Sequence, residues 1–255
     1  MKQYYIWLFS IIFLLFSINS EAQKNIRDSS IFIPSLSINY SFHMPLSGSI
    51  SESYGGFHSV GSDANFKLPN NFSLGLGFEY HFSESIKDRE LYFKDIQNDN
   101  GYVIDGNGQF AEVFLYHRGF NIQLFGGYQF NILAPNPNSG PYVQVGVGFM
   151  QYHTRIENPG RTANAVIDDY AKMYDRLRNG FSSTQVLGYR YMGNRNLTNF
   201  FIALELTEAW TDNRRSYNAD LSEGQLGKKL DFVVGVKVGW LIPFYGRAPK
   251  DYYYY

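Results

Sequence analysis

The segment Leu230–Phe244 reads LDFVVGVKVGWLIPF, and its pattern is the clearest indication of the fold. Its even-numbered residues are all apolar, whereas the odd-numbered ones include Asp231, Gly235, Lys237 and Gly239. Alternation with a period of two predicts a β-strand, and this one exceeds the about 5–6 residues of an ordinary strand. A tilted strand that crosses a bilayer needs about 9–11 residues. An apolar face opposite a polar, small-residue face is typical of a membrane barrel, which turns the first to lipid and the second to a polar lumen.

The composition favours the same architecture. The chain has 22 Phe, 21 Tyr and 24 Gly but no Cys, and its net charge is −1. A charge so close to zero argues against a nucleic-acid-binding surface. Without disulfides, an exported chain depends on its core or on a membrane for stability. After the first 22 residues no run of eighteen apolar residues occurs, so no transmembrane helix is predicted.

Residues 1–22 are predicted to be a cleaved secretory signal peptide. Lys2 supplies the basic start, Ile6–Phe16 is an apolar core, and Ser20 and Ala22 form a small-x-small cleavage site. The alternative is an uncleaved anchor, but the apolar run is shorter than the about 20 residues of a spanning helix. The chain is thus divided into a signal peptide, an outer-membrane barrel and a periplasmic tyrosine-rich tail: 1–22, 23–244 and 245–255.

Similar alternation elsewhere predicts an all-β, eight-stranded antiparallel transmembrane barrel. Eight is even and is the smallest number usual for such barrels. A barrel of this size has an interior filled by side chains, so its polar lumen is expected to be plugged. The predicted strands are Ile31–Met44, Asn71–Phe82, Gln109–His117, Phe120–Ile132, Pro141–Ile156, Phe181–Met192, Asn199–Trp210 and Leu230–Phe244.

A mature N-terminus in the periplasm assigns each connection to one side of the membrane. The predicted outer connections are Pro45–Asn70, a tight turn at Arg118-Gly119, Glu157–Gly180 and Thr211–Lys229. The predicted periplasmic connections are Ser83–Gly108, Leu133–Gly140 and Gly193–Thr198. Ser83–Gly108 is long and charged for a periplasmic turn, so either it contacts a partner there or the predicted topology is shifted by one strand.

Charged residues on the polar faces predict a network in the lumen, because buried charges are costly unless they are paired. We expect its acids to pair with its two cations. Its predicted members are Glu79, His81, Glu112, Arg190, Glu205, Asp231 and Lys237. The five histidines show neither a nucleophile arrangement nor a metal spacing, so no catalytic, cofactor-binding or metal-binding residue is predicted.

Two segments have features of a binding or recognition site. Lys237, Gly239, Ile242 and Phe244 resemble the C-terminal β-signal that the barrel-assembly machinery recognises, although here the chain continues past the aromatic residue. The outer segment Tyr174–Gly180 offers arginines that suit lipopolysaccharide phosphates, or forms a solvated loop with its own salt bridges. The residues proposed to contact partners are Arg176, Arg178, Tyr252, Tyr253, Tyr254 and Tyr255.

Three segments resemble an uncharacterised group of Bacteroidota outer-membrane barrels. They are APNPNSGP at Ala134–Pro141, YDRLRNG at Tyr174–Gly180 and GWLIPFYGRAPKDYYYY at Gly239–Tyr255, and the resemblance runs from about Phe42 onward. It implies small eight-stranded barrels associated with envelope machinery, such as outer-membrane protein assembly or type IX secretion, and implies no catalytic residue.

The expected function is therefore that of a non-enzymatic accessory or scaffold subunit of an envelope complex. We expect the protein to be integral to the cell outer membrane, to contact lipid, lipopolysaccharide and protein partners, and to bind neither cofactor nor nucleic acid. Three alternatives stay open. They are a lipid A-modifying enzyme, a small-solute channel, and a soluble lipocalin-like carrier with its apolar face turned inward.

Overall fold

The computed structural model describes residues 29–193, 198–221 and 227–244 of this 255-residue chain. The predicted signal peptide, 1–22, and the predicted tail, 245–255, lie outside these residues. Within them, no helix has the length and apolar character needed to cross a bilayer.

Eight antiparallel strands form a closed barrel, in which each strand pairs with the next in sequence and the last pairs with the first. The strands are β1 Ile33–Ser47, β2 Phe57–Lys67, β3 Phe72–Ser83, β4 Phe114–Gln129, β5 Gly140–Glu157, β6 Arg178–Met192, β7 Asn199–Asn213 and β8 Lys229–Pro243. The connections contain short helices, namely α1 Ser49–Ser53, α2 Arg89–Tyr92, α3 Asp168–Ala171 and the 3₁₀ turn Asn164–Val166.

The two faces of the wall have the polarity of a membrane barrel. Leu124 and Leu204 point outward and are 63% and 60% exposed, whereas Asn39, Glu79 and Lys237 point inward and are almost completely buried. A soluble barrel would place its apolar side chains inside. The apolar exterior therefore faces lipid, and the predicted closed transmembrane fold is confirmed. The even residues of β8 face outward as predicted.

Two predicted strands, Gln109–His117 and Phe120–Ile132, are wrong as separate elements. One strand, β4, runs through both, so the predicted outer turn at Arg118-Gly119 lies in mid-strand, paired with β5. Gly119 is required there by packing, since a Cβ would lie 2.6 Å from the carbonyl oxygen of Gln151. A glycine beside a charge indicated a turn from sequence, but in this barrel it permits close approach of neighbouring strands.

A strand is also missing from the prediction. β2 lies within Pro45–Asn70, which was predicted to be one outer loop, and pairs with β1 and β3. Its outward face includes His58, Ser62 and Ala64 beside Val60 and Phe66, so its alternation in hydropathy is weak. The number of strands is right because the split of β4 offset the omission of β2.

These two corrections reverse the predicted position of the link after β3. The connections at 84–113, 158–177 and 214–228 are the long ones and leave the same end of the barrel as the shorter 48–56 connection, whereas those at 68–71, 130–139 and 193–198 have at most ten residues and leave the other end. Bacterial barrels place long loops outside the cell and short turns in the periplasm. The prediction that Ser83–Gly108 is periplasmic is therefore wrong, and the segment belongs to the outer end.

The outer loops form a folded cap with an apolar core of its own. The cap core joins residues from two connections and the start of β4, namely Tyr92, Phe93, Val103, Leu115, Ala163, Val166 and Tyr174. Leu115 points into this core and is buried. The cap is thus a built structure of packed side chains.

The first outer loop folds into the mouth of the barrel. Ile50 and Tyr54 are fully buried against inward-facing residues such as Met150 and Val233. Gly48 makes the sharp entry possible, since its φ is +83° and a Cβ would lie 2.3 Å from a carboxylate oxygen of Asp231. The lumen is therefore closed on its outer side by the chain's own α1 segment.

The membrane-spanning assignment predicts a large cost for charge on the exterior. We expect Leu204→Arg to lower the free energy of unfolding in lipid vesicles by about 2–4 kcal/mol if its depth is near the bilayer midplane. Leu133→Arg, at the exposed turn beyond β4, is the control and should change it by less than about 0.5 kcal/mol. Equal, small effects of both substitutions on denaturant unfolding would indicate a soluble barrel.

Candidate functional site

The centre of the lumen is occupied by an ion-pair cluster. Lys237 of β8 lies between Glu79 of β3 and Glu205 of β7, with its Nζ 2.7 Å from Glu205 Oε1 and in direct contact with Glu79 Oε1. All three side chains are about 95% buried or more. The three side chains meet in the lumen because each occupies an inward position of its strand. Since all three are buried, an unpaired charge among them would be costly.

Asp63 of β2 adds a third carboxylate near Lys237. Its Oδ2 accepts hydrogen bonds from the Asn39 amide at 2.9 Å and from the Ser37 hydroxyl at 3.1 Å. Asp63 is absent from the predicted network because the sequence pattern of 45–70 predicts a loop where the structure has β2. Alternation in 57–67 between small polar and larger residues was the available signal, and Ser59, Gly61 and Ser62 obscured it.

The periplasmic half of the lumen is filled by Arg190 and its neighbours. The Arg190 guanidinium lies over the Tyr142 ring, 4.8 Å from the ring centroid. A cavity of about 20 Å³ remains between this layer and the Lys237 cluster, which is room for about one water molecule. Below it, Lys67 donates to Ser30 at 2.7 Å and to Asn138 at 3.1 Å, and these contacts close the periplasmic end.

The outer half of the lumen contains an aromatic layer rich in histidine. Phe57 packs between His43, His81 and His117, with ring centroids 4.9, 5.0 and 4.9 Å away. His43 Nε2 and His81 Nε2 lie 3.7 and 4.0 Å from Glu79 Oε2. Glu79 therefore turns one oxygen to Lys237 and the other to two imidazoles.

Asp231 lies nearer the outer mouth, in a different set of contacts. Its carboxylate accepts hydrogen bonds from Tyr152 at 2.7 Å, from Thr211 at 2.6 Å and from the backbone N–H of Ile50 at 3.0 Å. Asp231 thereby holds α1 inside the barrel. The prediction that it pairs with Lys237 or Arg190 is not supported by these contacts.

Two further members of the predicted network lie in other places. Glu112 lies in the link before β4 with its side chain exposed, and Asn158 donates to its backbone oxygen, so its placement in the lumen is wrong. Arg190 is in the lumen, but its described side-chain contact is the Tyr142 ring rather than one of the predicted acids. The structure brings together Glu79, His81, Glu205 and Lys237.

The arginines proposed to bind partners are buried, Arg176 in the cap and Arg178 at the start of β6, so neither is exposed as that prediction requires. Arg176 donates to Asp220 at 2.6 Å and to Ser53 at 3.1 Å, and its guanidinium lies 3.6 Å from the centroid of the Tyr92 ring. Arg178 donates to the backbone oxygens of Thr211 and Gly227. Charged side chains in a loop usually indicate exposure to solvent, but the loop that contains Arg176 is packed against the rest of the cap.

Electrostatics within the cap follow from the same burial. Desolvation raises the pKa of Asp220, and the neighbouring Arg176 guanidinium offsets part of that rise. Arg215 contacts both carboxylate oxygens of Asp175, and these hydrogen bonds raise the pKa of Arg215. The Arg176–Asp220 pair thus joins the 158–177 and 214–221 connections in a dry environment.

The residues of the proposed assembly signal occupy the end of β8. Lys237 and Gly239 face inward, Ile242 is paired with Leu36 of β1, and Phe244 follows the strand and is exposed. Their role in recognition by assembly machinery stays a prediction. The tyrosines proposed to contact partners, Tyr252 to Tyr255, lie outside the described residues.

Several solved outer-membrane and surface proteins are similar in structure. Ail, the attachment invasion locus protein of Yersinia pestis, solved in complex with the heparin analogue sucrose octasulfate, has 9% identity, covers 83% of this chain and 99% of that one, and has a TM-score of 0.41. Neisserial surface protein A has 9% identity, coverage of 82% and 96%, and a TM-score of 0.38. A major outer membrane protein from Thermus thermophilus has 14% identity, coverage of 83% and 99%, and a TM-score of 0.38.

The chain matches no protein-family model and no curated protein. At the identities above, the structural likeness concerns the fold alone.

Removing the central ammonium should destabilise the barrel strongly. We expect Lys237→Met to lower the free energy of unfolding by about 3–5 kcal/mol, since it leaves buried carboxylates unpaired. The triple variant Glu79→Gln, Glu205→Gln, Lys237→Met should recover most of this loss in denaturant titrations in vesicles. A single variant as stable as the wild type would show that Lys237 does not compensate these charges.

Breaking the buried pair in the cap should loosen the cap without unfolding the barrel. We expect Arg176→Leu to cost about 3 kcal/mol or more of local stability, measured as faster hydrogen exchange of backbone amides in 89–104. Arg161→Leu is the matched control, because Arg161 pairs with Asp168 on the exposed surface, where such pairs contribute about 0–1 kcal/mol. Equal exchange in both variants would contradict the role given to Arg176.

Proposed function

We propose that this chain is a non-enzymatic, non-conducting outer-membrane barrel that acts as an accessory or scaffold subunit of an envelope complex. The observation that carries the proposal is the combination of a filled lumen with a folded cap that exposes apolar residues. The lumen leaves no space for a solute, and the cap provides a rigid surface for another protein.

The filled lumen argues against a small-solute channel. The α1 segment closes the outer mouth, the Lys237 cluster fills the centre, and Lys67 with Asn138 closes the periplasmic end. The cavity of about 20 Å³ beside Arg190 holds about one water molecule. A hydrated ion would have to break buried ion pairs to pass, which is costly.

A lipid A-modifying enzyme would require a histidine with a serine and an acid at the lipid-facing outer rim. Two described histidines lie on the outward face near that rim, His153, which is paired in register with Arg118 of the neighbouring strand, and His58. The His58 ring packs among Tyr40, Phe42 and Phe82, and in the described part of the chain its hydrogen-bond partner is the Tyr40 hydroxyl at 2.6 Å. This environment supports aromatic packing and favours a non-enzymatic role.

The proposed contact surface is the outer aromatic patch, which consists of Tyr102, Ile104 and Phe110. Tyr102 and Phe110 have ring centroids 4.6 Å apart, and Ile104 is paired with Phe110 across an antiparallel bridge. Phe110 is 63% exposed, whereas Val103, between the other two, points into the cap core. Apolar residues held outward on a packed support are typical of a protein-binding surface.

The patch lies in the Ser83–Gly108 link and the residues just after it. The link therefore keeps its proposed role in contacting a partner, but the contact is proposed at the outer end of the barrel. The partner class that fits is an outer-membrane protein or a surface lipoprotein. The resemblance to envelope-machinery barrels makes outer-membrane protein assembly or type IX secretion the proposed setting. Lipopolysaccharide stays a proposed partner, but its phosphates are not assigned to the buried Arg176 and Arg178.

The filled lumen predicts an electrically silent protein. We expect the purified chain, inserted into planar bilayers, to give no stable conductance steps above those of protein-free bilayers. Barrel insertion is verified on the same sample by protection of the strands from protease. Reproducible, ion-selective steps from the inserted protein would support the channel instead.

The outer aromatic patch predicts a specific neighbour in native envelopes. We expect a photo-crosslinking amino acid at Phe110 to form an adduct with an outer-membrane protein or a surface lipoprotein, identified by mass spectrometry. The same group at Leu204, which faces lipid, should form no such adduct. The double variant Tyr102→Ser, Phe110→Ser should lose co-purification of that protein, whereas Tyr217→Ser should keep it.

Two results would contradict this proposal. One is the absence of any protein adduct from Phe110 in cells that contain the folded barrel. The other is an adduct whose partner still co-purifies fully with the double variant.

A further inference from the structure

We propose that His43, Glu79 and His81 form a binding site for one transition-metal ion, of which Zn²⁺ is the type that fits best. The inference goes beyond the proposed scaffold function and does not depend on it. It rests on the convergence of three ligand atoms, on their burial, and on the charge around them.

The ligand atoms are spaced for a small ion. His43 Nε2 and His81 Nε2 are 3.7 and 4.0 Å from Glu79 Oε2, and the ligand atoms of the three residues all lie within 4.8 Å of one another. A tetrahedral ion with bonds of about 2.0–2.1 Å places its ligand atoms about 3.3–3.4 Å apart. Small side-chain rotations therefore bring the three atoms to a common ion.

The residue types select the class of ion. Two imidazoles and one carboxylate are a known zinc ligand set. Imidazole also suits copper and nickel, whereas calcium and magnesium prefer oxygen ligands. The Ser59 hydroxyl lies 3.0 Å from His43 Nε2 and 3.4 Å from Glu79 Oε2, so this hydroxyl or a water molecule is placed to complete the coordination.

The rings are held in place before an ion binds. Phe57 packs against both imidazoles, with ring centroids 4.9 and 5.0 Å away. The three proposed ligands and Ser59 are buried. Because side chains locked by packing lose little freedom on binding, this arrangement favours metal affinity.

The charge around the site favours a cation. Lys237 faces three carboxylates, those of Glu79, Glu205 and Asp63. Arg190 acts on Asp63 from the periplasmic side, so these five groups sum to −1 when all three carboxylates are ionised. Lys237 contacts Glu79 through Oε1, which leaves Oε2 directed to the histidines.

Buried ring nitrogens in the same layer are available as further donors or ligands. His81 Nδ1 and both ring nitrogens of the fully buried His117 have no hydrogen-bond partner among the described residues. The His117 ring is stacked on the His81 ring at 6.4 Å. Buried polar atoms are normally hydrogen-bonded, so imidazoles without partners indicate a function other than packing.

Such an ion would join β1 to β3 across β2 inside the lumen, below the α1 segment. Since the ligands are buried beneath a closed mouth, the ion is expected to enter as the barrel folds. Binding would then add to the stability of the folded state.

The experiment uses the full mature chain without an affinity tag, refolded in detergent with one equivalent of Co²⁺ and then dialysed. We expect one cobalt per chain by elemental analysis, with the visible absorption of a tetrahedral nitrogen–oxygen site. His81→Phe, which keeps a ring against Phe57, should weaken binding by more than about tenfold, because losing even a partner of a ligand costs about 10–100-fold. His58→Ala removes a histidine of the outer face and should keep full binding.

The thermal midpoint keeps the test decisive if His81→Phe fails to fold. Wild-type protein refolded with Co²⁺ should then unfold at a higher temperature than protein refolded with a chelator, and His43→Phe should abolish that difference. Wild-type protein with no retained cobalt would overturn the proposal. It would indicate that a bound proton, and not a metal ion, neutralises the excess negative charge. Cobalt retained equally by wild type and His81→Phe but lost in His58→Ala would show adventitious surface binding only.

Discussion

The ammonium of Lys237, held between the carboxylates of Glu79 and Glu205, is the interaction on which the rest of the structure depends. Lipid outside the wall requires apolar side chains there, and strand alternation then directs polar and charged side chains inward. A closed eight-stranded barrel has no room for a wide aqueous channel. Charges that meet inside must therefore neutralise one another, and burial makes each unpaired member costly.

The fold could be predicted where hydropathy alternates strongly and failed where it does not. β8 and β3 have large apolar residues on one face and small or polar residues on the other, so both were located to within one or two residues. β2 was missed because serine, glycine and alanine blur its two faces. β4 was predicted as two strands because a glycine beside a charged residue favours a turn. In the structure Gly119 instead allows the neighbouring strand to pack closely. Both errors reflect contacts between strands, which a local pattern does not contain.

The site could be predicted in part for a related reason. Glu79, Glu205 and Lys237 could be predicted as lumen residues because they occupy inward positions on strands that were placed correctly. Alternation does not indicate, however, where a side chain lies along the barrel axis. Asp231 therefore holds α1 at the mouth, while Lys237 lies at the centre. Arg176 was assigned to the surface because its burial depends on a cap assembled from three distant loops. The meeting of His43 with Glu79 likewise depends on strand register, since β2 separates their strands.

The central claim is that the wall of this barrel faces lipid while its lumen is closed to water. Because the chain has no cysteine, single spin labels can be placed along β8 in vesicles, at Val236→Cys and Val238→Cys outside and at Val233→Cys and Leu241→Cys inside. A lipid-facing wall and a closed lumen predict that the outer labels are relaxed by lipid-soluble oxygen and the inner labels by neither oxygen nor a water-soluble nickel complex. Strong relaxation of the outer labels by the nickel complex would contradict the lipid-facing wall, and strong relaxation of the inner labels would contradict the closed lumen.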